Sequence, residues 1–208
     1  MEILELQEPK ERIISHAEDR FFSSGFNKVT LDELSSELGI SKKTMYKFFP
    51  SKDELLRTII RALQRRVERN VINIVESDKP IAQKLAEFML FIGKIAGRLS
   101  RAFQMDVQRF APGIWREMDA FRREKITTHF GALILQAKKE GIFRSDVNDQ
   151  IVFMMFLNSV QSIVNPEVLS QHSFSPKEAM YTIFHVIFEG SLTDEARKEF
   201  LKYEILIN

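Results

Sequence analysis

Residues 29–56 read VTLDELSSELGISKKTMYKFFPSKDELL and contain three successive helix-start signals. Thr30 and Ser51 are each followed three residues later by a glutamate. This is the spacing of a capping box, in which the side chain at the helix start accepts a backbone N–H and the glutamate accepts another. Ser41 provides a third N-cap, and Gly39 can adopt the left-handed conformation that ends a helix. The segment therefore predicts two short helices joined by a tight turn, and a long helix over 51–76.

Apolar residues recur at helical spacing on both sides of this segment, and no stretch shows the sustained alternation of a β-strand. We therefore predict an all-α fold of about nine or ten helices. A first helix is expected from Pro9 to Ser24, where Gly25 ends it. Later helices are predicted over 80–99, 101–110, 113–139, 148–164 and 176–189, with a short tail helix from 194.

The net charge of the 208-residue chain is only +1, but the charges are unevenly distributed. Residues 41–69 contain nine lysines and arginines against three acidic residues. Such a segment can attract phosphates even in a nearly neutral protein, although a solvated helix face would carry similar charges.

The two short helices form a helix-turn-helix, a motif whose second helix enters the major groove of DNA. Side chains in the groove must donate and accept hydrogen bonds at base edges, with cations nearby for phosphates. The second helix offers Lys42, Lys43, Thr44, Tyr46 and Lys47 on its polar side. The three capped helix starts, at Thr30, Ser41 and Ser51, add backbone N–H groups for phosphates. We therefore expect this face to contact DNA.

From about Arg12 to Leu56 the sequence resembles the DNA-binding segment of the TetR (tetracycline-repressor) family of bacterial regulators, most closely over residues 29–56. The resemblance implies that Thr30 and Lys52 bind phosphates at two helix starts, and that the exposed side of the second helix contacts bases and backbone. Two positions depart from the pattern. Lys43 stands where many relatives have a small residue, and Phe48 stands where tyrosine or histidine is common.

The resemblance also implies a division of the chain. Residues 1–52 would form the helix-turn-helix domain, and residues 53–208 a helical domain that binds an effector and dimerises. The expected function is a sequence-specific transcriptional repressor, relieved by ligand, that binds a palindromic operator as a homodimer. The alternative is a helical ligand-binding or interaction module whose helix-turn-helix does not bind DNA.

Bulky apolar residues around Pro112 are candidates for an effector pocket, since helical bundles commonly place ligand sites between helices. The core of the domain is the ordinary role of such residues. We expect a small, mainly apolar effector. The candidates are Phe88, Phe91, Phe103, Phe110, Trp115, Met118 and Phe121.

The segments 148–164 and 176–189 carry more apolar surface than one helix can turn inward, and the resemblance implies that they form the dimer. Two-fold symmetry would then place two reading helices about 34 to 36 Å apart, or a multiple of that, on the operator. The candidate interface residues are Val152, Phe153, Phe156, Val160, Phe184, Ile187 and Phe188.

The sequence gives little support for a metal site, an enzyme active site or a membrane helix. The chain has no cysteine, and no two of its four histidines have a helical spacing suited to a shared metal site. No glycine-rich phosphate loop, nucleophile elbow or paired-carboxylate site is evident. The longest apolar run, Ile151–Leu157, is much shorter than a membrane helix. We expect no enzyme activity, metal or cofactor, and a cytoplasmic protein.

Overall fold

The structure, a computed structural model, describes residues 2–207, with side chains for residues 8–203. This part of the chain is built of α-helices, and its one β-type pairing is an isolated bridge between Phe143 and Leu192. The predicted all-α fold is confirmed. The helices are α1 (Glu2–Ser24), α2 (Leu31–Glu37), α3 (Lys42–Phe48), α4 (Lys52–Val75), α5 (Ile81–Arg98), α6 (Arg101–Phe110), α7 (Pro112–Lys125), α8 (Gly131–Lys139), α9 (Asp149–Ile163), α10 (Pro166–Gln171), α11 (Pro176–Ser191) and α12 (Asp194–Ile207).

Two features raise the helix count in the described residues above the prediction. The single helix expected over 113–139 is interrupted by a π-helical turn, Ile126–Phe130, between α7 and α8. The unpredicted helix α10 is only six residues long, too short to show a periodic pattern. Its position in the sequence is determined by its N-terminal residues. The Asn165 side chain caps the helix by accepting the Val168 N–H at 3.0 Å, and Pro166 occupies the first turn.

The described chain divides into two compact units. The N-terminal unit contains the residues up to Arg66 together with Arg98–Met118. It is larger than the predicted domain 1–52 because α6 packs on α1, where the rings of Phe22 and Phe103 lie 4.8 Å apart, edge to face. The functional boundary at residue 52 stays a prediction.

The C-terminal unit contains Val67–Gly97 and the residues from Asp119 onward. Phe130, placed by the π-helical turn, lies at the centre of its aromatic core. Its ring centroid is 4.2 Å from that of Phe156, 5.3 Å from Phe188 and 5.5 Å from Phe88. Of the helices described, none is both long enough and apolar enough to span a bilayer.

Candidate nucleic-acid interface

Helix α2 begins with the capping box that the sequence predicts. The Thr30 hydroxyl accepts the Glu33 N–H at 3.1 Å, and the Glu33 carboxylate accepts the Thr30 N–H at 2.8 Å. The backbone amide and the hydroxyl of Thr30 hold the pKa of Glu33 below its ordinary value. The helix start is therefore fixed by local bonds before any ligand arrives.

The turn between α2 and α3 is held by its own backbone. Gly39 has φ +67°, a backbone conformation that is unfavourable for residues other than glycine. The amides of Gly39 and Ile40 donate to the carbonyls of Ser36 and Ser35, at 3.1 and 3.0 Å, so the helix end is closed in the Schellman pattern. Ser41 then caps α3 by accepting the Thr44 N–H at 3.0 Å. The turn rigidly fixes the direction in which α3 leaves α2.

Helix α3 has one buried and one exposed side. Met45, and Phe49 just after the helix, are buried in the core of the N-terminal unit. The opposite side exposes Lys42, Lys43 and Lys47 to solvent, and Tyr46 is 47% exposed. Of the side chains predicted to contact DNA, the structure thus places four together on one face. The half-buried Thr44 hydroxyl bonds that of Ser41 at 2.8 Å, at the start of the same helix.

Lys42 already has an acidic partner. Its ammonium lies 2.5 Å from an Asp32 carboxylate oxygen, and this hydrogen bond raises the pKa of Lys42. The Lys42 side chain is largely exposed and that of Asp32 about half exposed, so the pair itself is weak. A DNA phosphate would nevertheless have to compete with Asp32 for this lysine.

Lys52 lies at the start of α4, and its side chain turns towards the protein. The ammonium donates to the carbonyls of Phe26 and Asn27 at 3.0 and 3.1 Å, and it lies 4.4 Å from the centre of the Phe26 ring. Desolvation lowers its pKa despite nearby carboxylates, including that of Asp53. The predicted phosphate contact of Lys52 stays a prediction, and in this structure the ammonium binds the loop between α1 and α2.

The seven pocket candidates, chosen as bulky apolar residues around Pro112, are distributed over the two units. Phe88 stacks on Phe130 in the C-terminal core, whereas Phe103 is buried against Phe22 in the N-terminal unit. Phe110 is 45% exposed. Trp115 and Met118, in the N-terminal unit, and Phe91 and Phe121, in the C-terminal unit, are partly buried. Their role in binding an effector stays a prediction.

The candidate dimer residues lie on the expected helices but mostly face inward. Val152, Phe156, Val160, Phe184, Ile187 and Phe188 are at most 6% exposed, because α9 and α11 pack against each other, and Phe153 is partly buried. These six therefore have almost no surface to offer a partner. The exposed apolar side chains of the same helices are Ile151, Met154, Met155, Tyr181 and Val186, at 48% to 70% exposure.

The sequence reasoning missed this exposed set, although a signal was present. Ile151, Met154 and Met155 follow the i, i+3, i+4 spacing of one helix face. An apolar helix with two such faces buries one in its own core and leaves the other for a partner.

Comparison with known proteins agrees with this architecture. Residues 13–59 match the model of the family described as bacterial regulatory proteins, tetR family. The HTH-type transcriptional regulator YvaF of Bacillus subtilis (strain 168) is 24% identical over 187 residues, which cover 88% of this chain and 96% of YvaF.

Two solved structures share the fold over nearly their whole length. A TetR-family transcriptional regulator from Agrobacterium tumefaciens superposes with a TM-score of 0.69 at 13% identity, covering 90% of this chain and all of its own. A gamma-butyrolactone receptor described as ArpA-like has a TM-score of 0.67 at 16% identity and 98% coverage of both chains.

Proposed function

We propose, from the premise that the N-terminal domain of this chain belongs to the TetR family, that the protein is a homodimeric, sequence-specific DNA-binding regulator of transcription. Its reading element is the exposed face of α3. The observation that supports this proposal is the division of α3 itself. Met45 anchors its inner side, and the outer side presents lysines and a tyrosine to solvent. Three cations and a phenol on a rigidly held short helix match the chemistry of a major groove and its phosphates.

A second copy of the chain would supply the second reading helix. The exposed apolar side chains of α9 and α11, rather than the buried ones named from the sequence, are the surface that we propose for dimerisation. Ile151, Met154 and Val186 are each more than half exposed. Exposure of three large apolar side chains on two neighbouring helices is unfavourable in water and is typical of a surface that binds a partner. A symmetric dimer then requires a palindromic operator.

We propose that the protein represses transcription and that a small, mainly apolar effector relieves this repression. One solved structure with the same fold is, by its description, a gamma-butyrolactone receptor. A ligand that binds one arrangement of the dimer better than another shifts the population of DNA-competent molecules. Helices α4 and α7 each begin in one unit and end in the other, so both provide covalent routes for that coupling. Such a regulator works in the cytoplasm.

Selection of bound duplexes from a random pool tests the proposal. The purified protein should enrich a palindrome with half-site centres about one helical turn apart, or a multiple of it. The combined variant Lys42→Ala, Lys43→Ala, Tyr46→Ala should lose binding while keeping its fold and dimer. The matched control removes two exposed lysines of the C-terminal unit, Lys139→Ala and Lys198→Ala, and should bind like the wild type.

Two outcomes would refute the assignment. If the wild type enriched no duplex even at low salt, the chain would be a helical ligand-binding or interaction module. If the triple variant on α3 retained full affinity for the selected palindrome, α3 would not be the reading helix.

A further inference from the structure

The loop between α1 and α2 is held from two sides by side chains distant in sequence. Lys52, at the start of α4, donates to the carbonyls of Phe26 and Asn27. Asp106, on α6, accepts the Asn27 N–H at 2.8 Å. Two charges of opposite sign therefore bind the donor and the acceptors of one short loop, three residues before the cap of α2.

The approach of Asp106 is close enough to limit which residue can precede this loop. Gly25 has φ +94°, and a Cβ atom at that position would lie 2.6 Å from the Asp106 carboxylate oxygen. Contacts this short do not occur for real Cβ atoms, so a side chain at position 25 would require the Asp106 carboxylate to move. Glycine is favoured here by its backbone conformation, and the absence of a Cβ lets the Asp106 carboxylate stay where it bonds Asn27.

Other bonds fix the position of α6 on α1. The Ser100 N–H, at the cap of α6, donates to the Phe22 carbonyl at 3.1 Å. Phe103 packs edge to face on Phe22. Just before the cap, the guanidinium of Arg98 donates at 3.0 Å to the buried carboxylate of Glu18 on α1. The Asp106 carboxylate is therefore presented by a helix with its own attachments to the N-terminal unit.

We propose that Asp106 is a positioning residue for DNA binding: through its bond to Asn27, helix α6 sets the place of the α1–α2 loop and of Thr30, where α2 begins. This inference rests on the proposed DNA-binding function. Helix α3 follows α2 through the rigid turn at Gly39, so a displacement at Asn27 reaches the reading face. A hydrogen bond of 2.8 Å is lost when the partners separate by about 1 Å more, so a small movement of α6 frees the Asn27 amide and leaves the loop held by Lys52 alone.

The test compares Asp106→Ala, Asp106→Asn and Gln108→Ala, the last being an exposed position on the same helix. Amide hydrogen exchange across residues 25–30 reads the loop directly, and titration with the selected duplex at several salt concentrations reads DNA binding. In Asp106→Ala we expect the Asn27 amide to exchange about tenfold faster and the duplex affinity to fall by about tenfold. The salt dependence should stay the same because no phosphate contact is removed. Asp106→Asn, whose amide oxygen can accept the same N–H, should recover most of both losses, and Gln108→Ala should match the wild type.

Each other outcome overturns a defined part of the reasoning. A wild type that binds no duplex refutes the proposed function, and the Asp106 inference falls with it. A wild type that binds DNA while both Asp106 variants bind equally well refutes the positioning role alone. Faster exchange throughout α1 and α6 in the alanine variant, with no recovery in the asparagine variant, would mean that Asp106 only stabilises the unit.

Discussion

Replacement of Lys52 by methionine separates a structural role for this lysine from a DNA contact. The substitution keeps an unbranched apolar chain near the Phe26 ring but removes the ammonium and its two bonds to the carbonyls of Phe26 and Asn27. Hydrogen bonds to a charged group are worth about 1.5–3 kcal/mol. Water can partly replace them at this half-buried site, and loss of the ammonium also removes its desolvation cost. We therefore expect Lys52→Met to lower the free energy of unfolding by about 1–2 kcal/mol.

Urea unfolding measures that loss. With a slope of about 2–3 kcal/mol per molar, the midpoint should fall by roughly half a molar. The slope of log affinity for duplex DNA against log salt should not change, because Lys52 does not reach a phosphate in this reasoning. The matched variant Lys47→Met removes an exposed lysine of α3 and should behave in the opposite way. Its stability should be unchanged, while its salt slope falls by about 1.8, since a dimer loses two phosphate contacts at about 0.9 each.

The urea midpoint and the salt dependence of DNA affinity together can contradict the structural role of Lys52. When the salt concentration rises from 50 to 200 mM, a variant whose slope is smaller by about 1.8 should lose roughly ten times less affinity than the wild type. If Lys52→Met showed that smaller slope with wild-type stability, its ammonium would bind phosphate in the complex. The internal bonds described for it would then contribute little to the fold.

Three further predictions concern the core, the dimer and the helix caps. Phe130→Ala removes the ring at the centre of the C-terminal core and should lower the free energy of unfolding by about 3–5 kcal/mol, measured by urea titration; a loss below about 1 kcal/mol would contradict the described packing. Met155→Asp places a charge on the exposed side of α9 and should yield monomers in sedimentation experiments, whereas Lys139→Asp on α8 should remain dimeric; a dimeric Met155→Asp would place the interface elsewhere. The Ser175 backbone amide, and then its hydroxyl, hold the pKa of Glu178 below its ordinary value of 4.5. Its stabilising effect is therefore present above that pH and declines as the pH falls through the lowered value, so wild type and Glu178→Gln should differ in urea midpoint at neutral pH and converge as the pH falls below the lowered pKa of Glu178; a constant difference would contradict this assignment.

The sequence predicted most accurately what depends on neighbouring residues. The caps at Thr30 and Ser41 and the turn at Gly39 involve groups within a few positions of one another, so local chemistry was enough to place α2 and α3. The exposed face of α3 followed from the same boundaries and the helical period.

The contacts that the sequence did not reveal join distant residues. Lys52 binds carbonyls about 25 positions earlier, and Asp106 binds an amide 79 positions away, so neither partner has a local signature. The periodicity of α9 showed that it is apolar on more than one side but not which side its own core would use. Only the packing of α11 against Val152 and Phe156 identifies the outer face as that of Met154 and Met155.

The π-helical turn Ile126–Phe130 acts as a register shift between α7 and α8. Relative to an uninterrupted α-helix it accommodates one additional residue, and each residue in an α-helix turns the chain by about 100°. Removal of one of the two exposed threonines in the turn, Thr127 or Thr128, would allow the continuous helix that the apolar pattern suggests. That deletion would leave α8 close to its present orientation, whereas an α-helical path through all the residues of the turn would rotate α8 by about a quarter turn about its axis relative to the last residues of α7. The aromatic centre around Phe130 thus depends on the turn absorbing one extra residue, because α8 keeps its orientation towards the core only while that residue is taken up there.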